Sequence, residues 1–296
     1  MPSVSDEALN RNSPSKEQIA DYFTEMEAEY TKEVGDGVPD EAMHFGYFDE
    51  EHTEFPSAII NMKRTLTDAV DIGPDDRVLE AGCGMGETST WIAREIGAEM
   101  VGINICERQL EIAREMADRR GVTDSVDFRY DDYTEMETIE DESVDVVWGL
   151  ESICYAEDKR EVLEQAERVL RPGGRIMVAD WFMNQRTLTE DEREMVELWL
   201  QGWKIPDLAY FEDFQGYLRD LGFDVTAARD ITENIRPSVA GFECRQRRKI
   251  TYPVSKVLNA VGLVSDYRYE QERGCFYQHK VYDEELAIYG LVTAEK

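Results

Sequence analysis

Lysine is scarce in this chain, found at nine of 296 positions, and all basic residues together number 32 against 64 acidic ones, a net charge of −32. The acids are spread along the chain, so its surface repels nucleic acid and anionic membrane at ordinary salt, and repels itself unless screened. Nucleic acid is therefore not an expected partner, and adaptation to a salt-rich, halophilic interior is the expected meaning of the imbalance. Cysteines are few: Cys83, Cys106, Cys154, Cys244 and Cys275, an odd number with no CxxC pair. A disulfide framework or a zinc site is not expected from such spacing. Only three histidines exist, His44, His52 and His279, which leaves few candidates for a histidine base. No run of about 18 apolar residues occurs, and the opening MPSVSDEALNRNSPSKEQ has no signal-peptide core. The expected state is a soluble cytoplasmic protein without stable membrane insertion, with a homodimer allowed.

What is present suffices for a packed fold: 42% hydrophobic residues, with 14 Tyr and 5 Trp. Residues 1–15 read as a loose tail. Residues 16–70 read as a helical segment, in which Ile19, Tyr22, Phe23, Met26 and Tyr30 recur at helical spacing before a Gly/Pro/Asp-rich break and the cluster His44-Phe45-Gly46-Tyr47-Phe48. From residue 71 short apolar runs alternate with amphipathic helices, the mark of βαβ units and a parallel sheet. Strands are expected at 77–81, 99–103, 126–130, 144–150, 175–179, 223–228 and 286–293, with helices at 87–96, 107–120 and 159–170. Helical segments near 190–203 and 211–221 read as a cap inserted at about 182–222. The fold class is α/β: a Rossmann-like, seven-stranded, mostly parallel sheet with an N-terminal helical lid and an inserted helical cap.

Ligands of such sheets bind beyond the carboxyl ends of the strands, so the residues just after each strand carry the chemistry. The first strand runs into Glu80-Ala81-Gly82-Cys83-Gly84-Met85-Gly86, where glycine allows sharp turning and close backbone approach. Its GxGxG spacing differs from the GxGxxG that seats a dinucleotide pyrophosphate. S-adenosylmethionine (SAM) has no pyrophosphate; it needs close backbone passage, and negative charge near its amino and sulfonium groups, which Glu80 can help supply. The second strand ends at Asn104, where a polar side chain can bond ribose hydroxyls, and Gln109 lies one turn into the next helix. The third is followed by Asp131-Asp132-Tyr133, of which Asp132 is the expected acceptor for an adenine amino group, with Tyr133 beside it.

Over about 77–181 the sequence resembles the class I SAM-dependent methyltransferases, with EAGCGMG for the glycine motif, FRYDDY for the adenine-side motif and LRPGG at Leu170–Gly174 for the post-strand motif. The resemblance implies SAM as cofactor, a last strand that is antiparallel, and SAM-binding roles for Gly82, Gly84, Gly86, Asn104, Gln109 and Asp132. Asn104 departs from the usual acidic residue. Within the class, the stretch from Gly102 to Gln109 looks like the sterol side-chain methyltransferases.

The fourth strand delivers Glu151-Ser152-Ile153-Cys154-Tyr155 to the same crevice. A carboxylate there can deprotonate a nucleophile or stabilise a cation formed when an alkene is methylated. The stretch resembles the ESxxY or EAxxH of methyltransferases acting on geranyl diphosphate, sterols and tocopherols, which implies that it faces the substrate; Tyr155 stands where some relatives have His. His44, Phe45 and Tyr47 resemble the HxGY(F/W) element that helps close the site in that group. Expected catalytic residues are thus Glu151, His44 and Tyr47, and expected substrate contacts are Tyr22, Tyr155 and Trp181. The basic residues between Arg229 and Lys256 either pair with neighbouring acids on a solvated helix or face an anionic substrate. The first reading is methyl transfer to a small molecule, with carbon of an isoprenoid- or lipid-like substrate as acceptor. N-methylation of a small amine such as an osmolyte precursor, an NAD-linked oxidoreductase and a non-catalytic SAM-binding protein remain open beside it.

Overall fold

The computed structural model describes residues 13–34, 42–244 and 247–296. The expectation of a tail over residues 1–12 and of a break over 35–41 lies outside the described residues. Seven strands form one sheet in the order β3-β2-β1-β4-β5-β7-β6: β1 (Arg77–Ala81), β2 (Glu99–Asn104), β3 (Val126–Tyr130), β4 (Val144–Leu150), β5 (Leu170–Met183), β6 (Asp224–Asp230) and β7 (Ala287–Glu295). β7 runs antiparallel to both β5 and β6, and the pairs among the first five strands are parallel. Parallel neighbours need crossovers, and α3 (Glu87–Glu95), α4 (Glu107–Arg120) and α5 (Lys159–Val169) supply them. The central strands β1 and β4 are buried nearly throughout, which is why they read as continuous apolar runs.

The structure lengthens β5 well beyond the expected 175–179, because its edge pairs with β7 from Arg175↔Glu295 to Met183↔Ala287. The expected cap at 182–222 divides. α6 (Glu190–Trp203) stands over the carboxyl end of the sheet, whereas α7 (Phe211–Asp220) covers a face of it, with Phe214 buried against Phe182 at 5.1 Å between ring centroids. The rest of the cap comes from α8 (Thr232–Cys244), α9 (Arg247–Ala260) and α10 (Asp266–Asp283), inserted between β6 and β7. α10 packs on α6 so closely that a Cβ on Gly202 would lie 2.4 Å from Gly274 Cα.

Two further helices precede the sheet, α1 (Lys16–Val34) and α2 (Phe55–Ala69). α2 lays Ala58, Ile59, Met62 and Leu66 into the core, the i, i+3, i+4 spacing of one helical face. α1 reaches the cap, where Tyr22 meets Tyr267 edge-on at 6.1 Å.

Candidate functional site

A cavity opens where α1, the segment 43–45, the glycine loop and the ends of β2, β3 and β4 converge. Gly82 and Gly84 line it, and Gly86 closes the loop that carries them. Gly82, Gly84 and Gly86 have φ of 80°, 52° and 77°, a region that L side chains avoid. A Cβ on Gly82 would sit 2.7 Å from Ser152 Cβ, and one on Gly86 would be 2.7 Å from both Ala113 and Phe128. At Gly84 the same Cβ would meet nothing within 4 Å, so this turn faces open space. Gly86 caps α3 from the left-handed region.

Glu80, at the end of β1, is buried and accepts a hydrogen bond from the Ser89 hydroxyl. Burial pushes its pKa up to about 8, against the pull of Ser89. Asn104 Nδ2 donates to Gln109 Oε1 at 2.8 Å and, more weakly, to Gly84 O at 3.4 Å, while Asn104 Oδ1 accepts from the Cys106 N–H. The two residues expected on one ribose edge are therefore bonded to each other. Asp131 and Asp132 have separate roles. Asp131 is buried and accepts from the N–H groups of Asp132, Glu137 and Thr138, holding the turn. Asp132 lines the cavity, and although burial opposes ionisation, contacts with Lys16 and Thr134 hold its pKa below the usual carboxylate range. Tyr133 lies beside it, its hydroxyl donating to Ser152 O at 2.9 Å.

Glu151 follows β4 with φ of 49°, an uncommon conformation for a non-glycine residue. Its N–H donates to Ala179 O, and its Oε1 accepts from the Phe45 N–H and the Tyr289 hydroxyl, both at 2.8 Å. Burial raises its pKa to about 8, and Asp180 adds to the rise while the two donors oppose it. Asp180 is itself buried and accepts from the N–H groups of Ser152, Cys154 and Trp181, so it fixes the loop that carries Glu151.

His44 lines the cavity but on the glycine-loop side. Its Nδ1 donates to Phe45 O at 2.8 Å, and its Nε2 lies 3.8 Å from Glu87 Oε2, these two buried atoms having no hydrogen-bond partner. Glu87 Oε1 takes a 2.5 Å ion pair from Lys63, a fully buried lysine on α2, and Arg120 approaches at 3.6 Å. Burial alone would raise the Glu87 pKa; His44 and Lys63 hold it below the ordinary value.

Among the expected substrate contacts, Tyr155 and Trp181 line the cavity; Tyr22 does not, and its neighbour Phe23 does, edge-on to Tyr155 at 5.3 Å. Tyr22 is instead buried against the cap. Tyr47 is also absent from the wall. It packs on the core, its N–H bonded to Ala58 O, and the element's contribution at Glu151 is the backbone N–H of Phe45. Sequence reading missed Lys16, Phe23, Met43, Phe45, Met85, Glu87 and Trp203 on this wall. Glu87 carried one signal, an acid immediately after the last loop glycine, and Met85 lies within the glycine motif itself; for the others only the tertiary approach of α1, the segment 43–45 and α6 decides. None of Arg229, Arg236 and Lys256 lines the cavity, and Arg236 pairs with Glu233 and Asp283. The side chains of 241–253, including the remaining basic residues of that stretch, lie outside the described residues.

The family described as Methyltransferase domain matches residues 72–232. The 27-O-demethylrifamycin SV methyltransferase of Amycolatopsis mediterranei is 34% identical over 200 residues, covering 67% of this chain and 72% of that protein. Geranyl diphosphate C-methyltransferase from Streptomyces coelicolor, solved with Mg2+, geranyl diphosphate and S-adenosyl-L-homocysteine, superposes with a TM-score of 0.70 at 20% identity, covering 96% of this chain and 98% of that one. The [4+2]-cyclase SpnF superposes with a TM-score of 0.77, also at 20% identity, over 97% and 98%. At that identity the two structures attest the fold alone.

Proposed function

The chain belongs to the methyltransferase-domain family and is a SAM-dependent methyltransferase of small molecules, and from that premise we propose that its acceptor is an uncharged, mainly apolar molecule of isoprenoid- or lipid-like skeleton, methylated on carbon. When bound, SAM supplies an electrophilic methyl group on a sulfonium. The residues present fit that cofactor: the cradle at Gly82 to Gly86 has no room for a Cβ at two of its glycines, and orphaned polar atoms wait on the same wall. Gly82, Gly84 and Gly86 let the backbone approach it. Asn104 and Gln109, locked together, present a preformed polar edge to the ribose, and Asp132 with Tyr133 receives the adenine. Glu87, held ionised, supplies negative charge for a cationic ligand, whereas Glu80, its pKa lifted to about 8, is largely protonated at neutral pH.

His44 belongs with Glu87 in this reading and not with Glu151. Its Nδ1–H is spent on the Phe45 carbonyl, which leaves Nε2 facing the Glu87 carboxylate at 3.8 Å. Glu87 Oε2, buried on this wall without a hydrogen-bond partner, is an acceptor for the α-ammonium of the cofactor.

The acceptor is inferred from one observation: Glu151 is buried on an otherwise largely apolar wall that includes Phe23, Phe45, Tyr155, Trp181 and Trp203. Its pKa near 8 allows it to take up a proton from the acceptor at working pH. A diphosphate would place charge beside the ionised Glu87 and Asp132. Among the described lining residues Lys16 is the one lysine or arginine, and it is already engaged by Asp132. A small amine would find few polar partners beyond those the cofactor needs. Transfer to a hydroxyl oxygen is the second reading, favoured by the O-methyltransferase name of the 34% relative and by the same proton acceptor. Both are tested by incubating the enzyme at high salt with methyl-labelled SAM and a panel of isoprenoid alkenes, isoprenoid alcohols, diphosphates and amines, and locating the label by NMR. Label on carbon of an uncharged acceptor is expected. Label on oxygen moves the assignment to the second reading, and turnover confined to diphosphates or amines overturns the proposal.

A further inference from the structure

Five large apolar side chains are exposed among the described residues, and four of them fall within ten positions: Val254, Val257, Val261 and Leu263, at 48%, 64%, 65% and 73% exposure. Spacing of three and four places the valines on one side of α9 and its continuation. The opposite side is the docked one, where Ser255 is buried and hydrogen-bonds Glu272 of α10. The helix ends at Gly262, φ 74°, with Gly262 N–H bonded to Asn259 O and Leu263 N–H to Leu258 O. That is a Schellman motif, in which the residue at the Leu263 position commonly packs back on the helix. Here it stays in solvent. A contiguous apolar surface of this kind marks an interaction site.

The sequence leading into and through this helix is cationic, the reverse of the rest of the chain. Between Glu243 and Asp266 the sequence holds five cations, Arg245, Arg247, Arg248, Lys249 and Lys256, and no carboxylate, in a chain of net charge −32. A cationic stretch bearing exposed aliphatic residues is the composition of an interfacial helix. We propose that the α9 face from Val254 to Leu263 docks on an anionic lipid surface, with the valines and Leu263 entering the headgroup boundary and the exposed Lys256 beside them meeting lipid phosphates. The carboxylates bonded to α9, Glu272 and Asp266, are engaged by Ser255 and Asn259 on its docked side, and acidic surface farther off than a Debye length is screened at physiological salt. The face also lies close to the cavity in chain terms: Leu263 is four residues from Tyr267, which packs on Tyr22 of α1, next to the cavity-lining Phe23. Loading of an acceptor from the bilayer is the purpose this serves, a purpose that rests on the lipid-like reading above.

Co-sedimentation of the full chain with vesicles tests the docking without any acceptor, so the docking and the acceptor assignment fail separately. Phosphatidylglycerol vesicles are expected to bind it at least fivefold better than phosphatidylcholine vesicles in 0.15 M KCl. Lys256→Gln lowers that binding about fivefold, and the double variant Val257→Ser/Leu263→Ser at least tenfold, with SAM affinity by calorimetry unchanged as the control for folding. Equal binding to the two vesicle types, no binding to either, or an unaffected double variant overturns the proposal. So does a wild-type dimer in light scattering that the double variant dissolves, which assigns the face to a second copy of the chain.

Discussion

Glu151 combines a left-handed backbone, two donors on one oxygen and an apolar wall, and each has a measurable consequence. Glu151→Gln keeps shape and hydrogen bonding while removing the proton acceptor. Turnover is expected to fall by at least about 100-fold, with SAM affinity in calorimetry within about twofold; equal losses of both would make the residue a cofactor ligand. In the free enzyme kcat/KM rises with pH along a limb centred near 8, since the ionised form accepts the proton. The stability effect has the opposite sense. A carboxyl whose folded pKa is raised from 4.5 to about 8 contributes its stabilisation fully below pH 4.5 and loses it as pH rises through 8. Urea titrations of the cofactor-free protein should therefore show a shallower decline between those values for Glu151→Gln than for wild type. Lys63 behaves differently, being fully buried against an ionised Glu87. Lys63→Met leaves that carboxylate short of a partner and is expected to cost about 3–5 kcal/mol, read from the urea midpoint.

At the scale of elements, β1 to β4 and α3 to α5 were legible because periodicity and length separate buried strands from amphipathic helices. Asp158 capping α5 through the Arg160 N–H is a local signal of the same kind. The cap was only half legible. α6 announces itself by the Thr189/Glu192 capping box and its apolar face, but its partner α10 is 18 residues long and mixes aromatic, basic and acidic side chains all round. What joins them is the absence of side chains at Gly202 and Gly274, and a pair of isolated glycines 72 positions apart carries no sequence signal of contact. Gly202→Val should drive the two helices apart at a cost of about 2–4 kcal/mol, read as a lower melting temperature and new proteolytic cleavage within α10. Gly86→Ala, strained in φ and blocked by Ala113 and Phe128, belongs to the same class but should also weaken SAM binding.

For the whole molecule the governing quantity is the charge of −32. Self-repulsion destabilises the compact state and salt screens it, so the melting temperature should climb steadily from 0.1 to 2 M KCl. A flat response would show that the ion pairs across the surface already balance the repulsion.

The sequence by itself determined the sheet, its crossover helices, the glycine loop and therefore the cofactor, because each of these depends on residues close together in the chain: a period, a cap, a run of positive-φ glycines. It also placed Asp132, Glu151 and Tyr155 at strand ends facing one crevice. Only the tertiary structure decided that His44 stands by Glu87, that the backbone of Phe45 and the distant Tyr289 hold Glu151, and that Phe23 takes the wall position where Tyr22 was expected. Those outcomes depend on how α1, the segment 43–47 and the cap close over the sheet, and long-range packing of that kind leaves no periodicity in the chain that makes it.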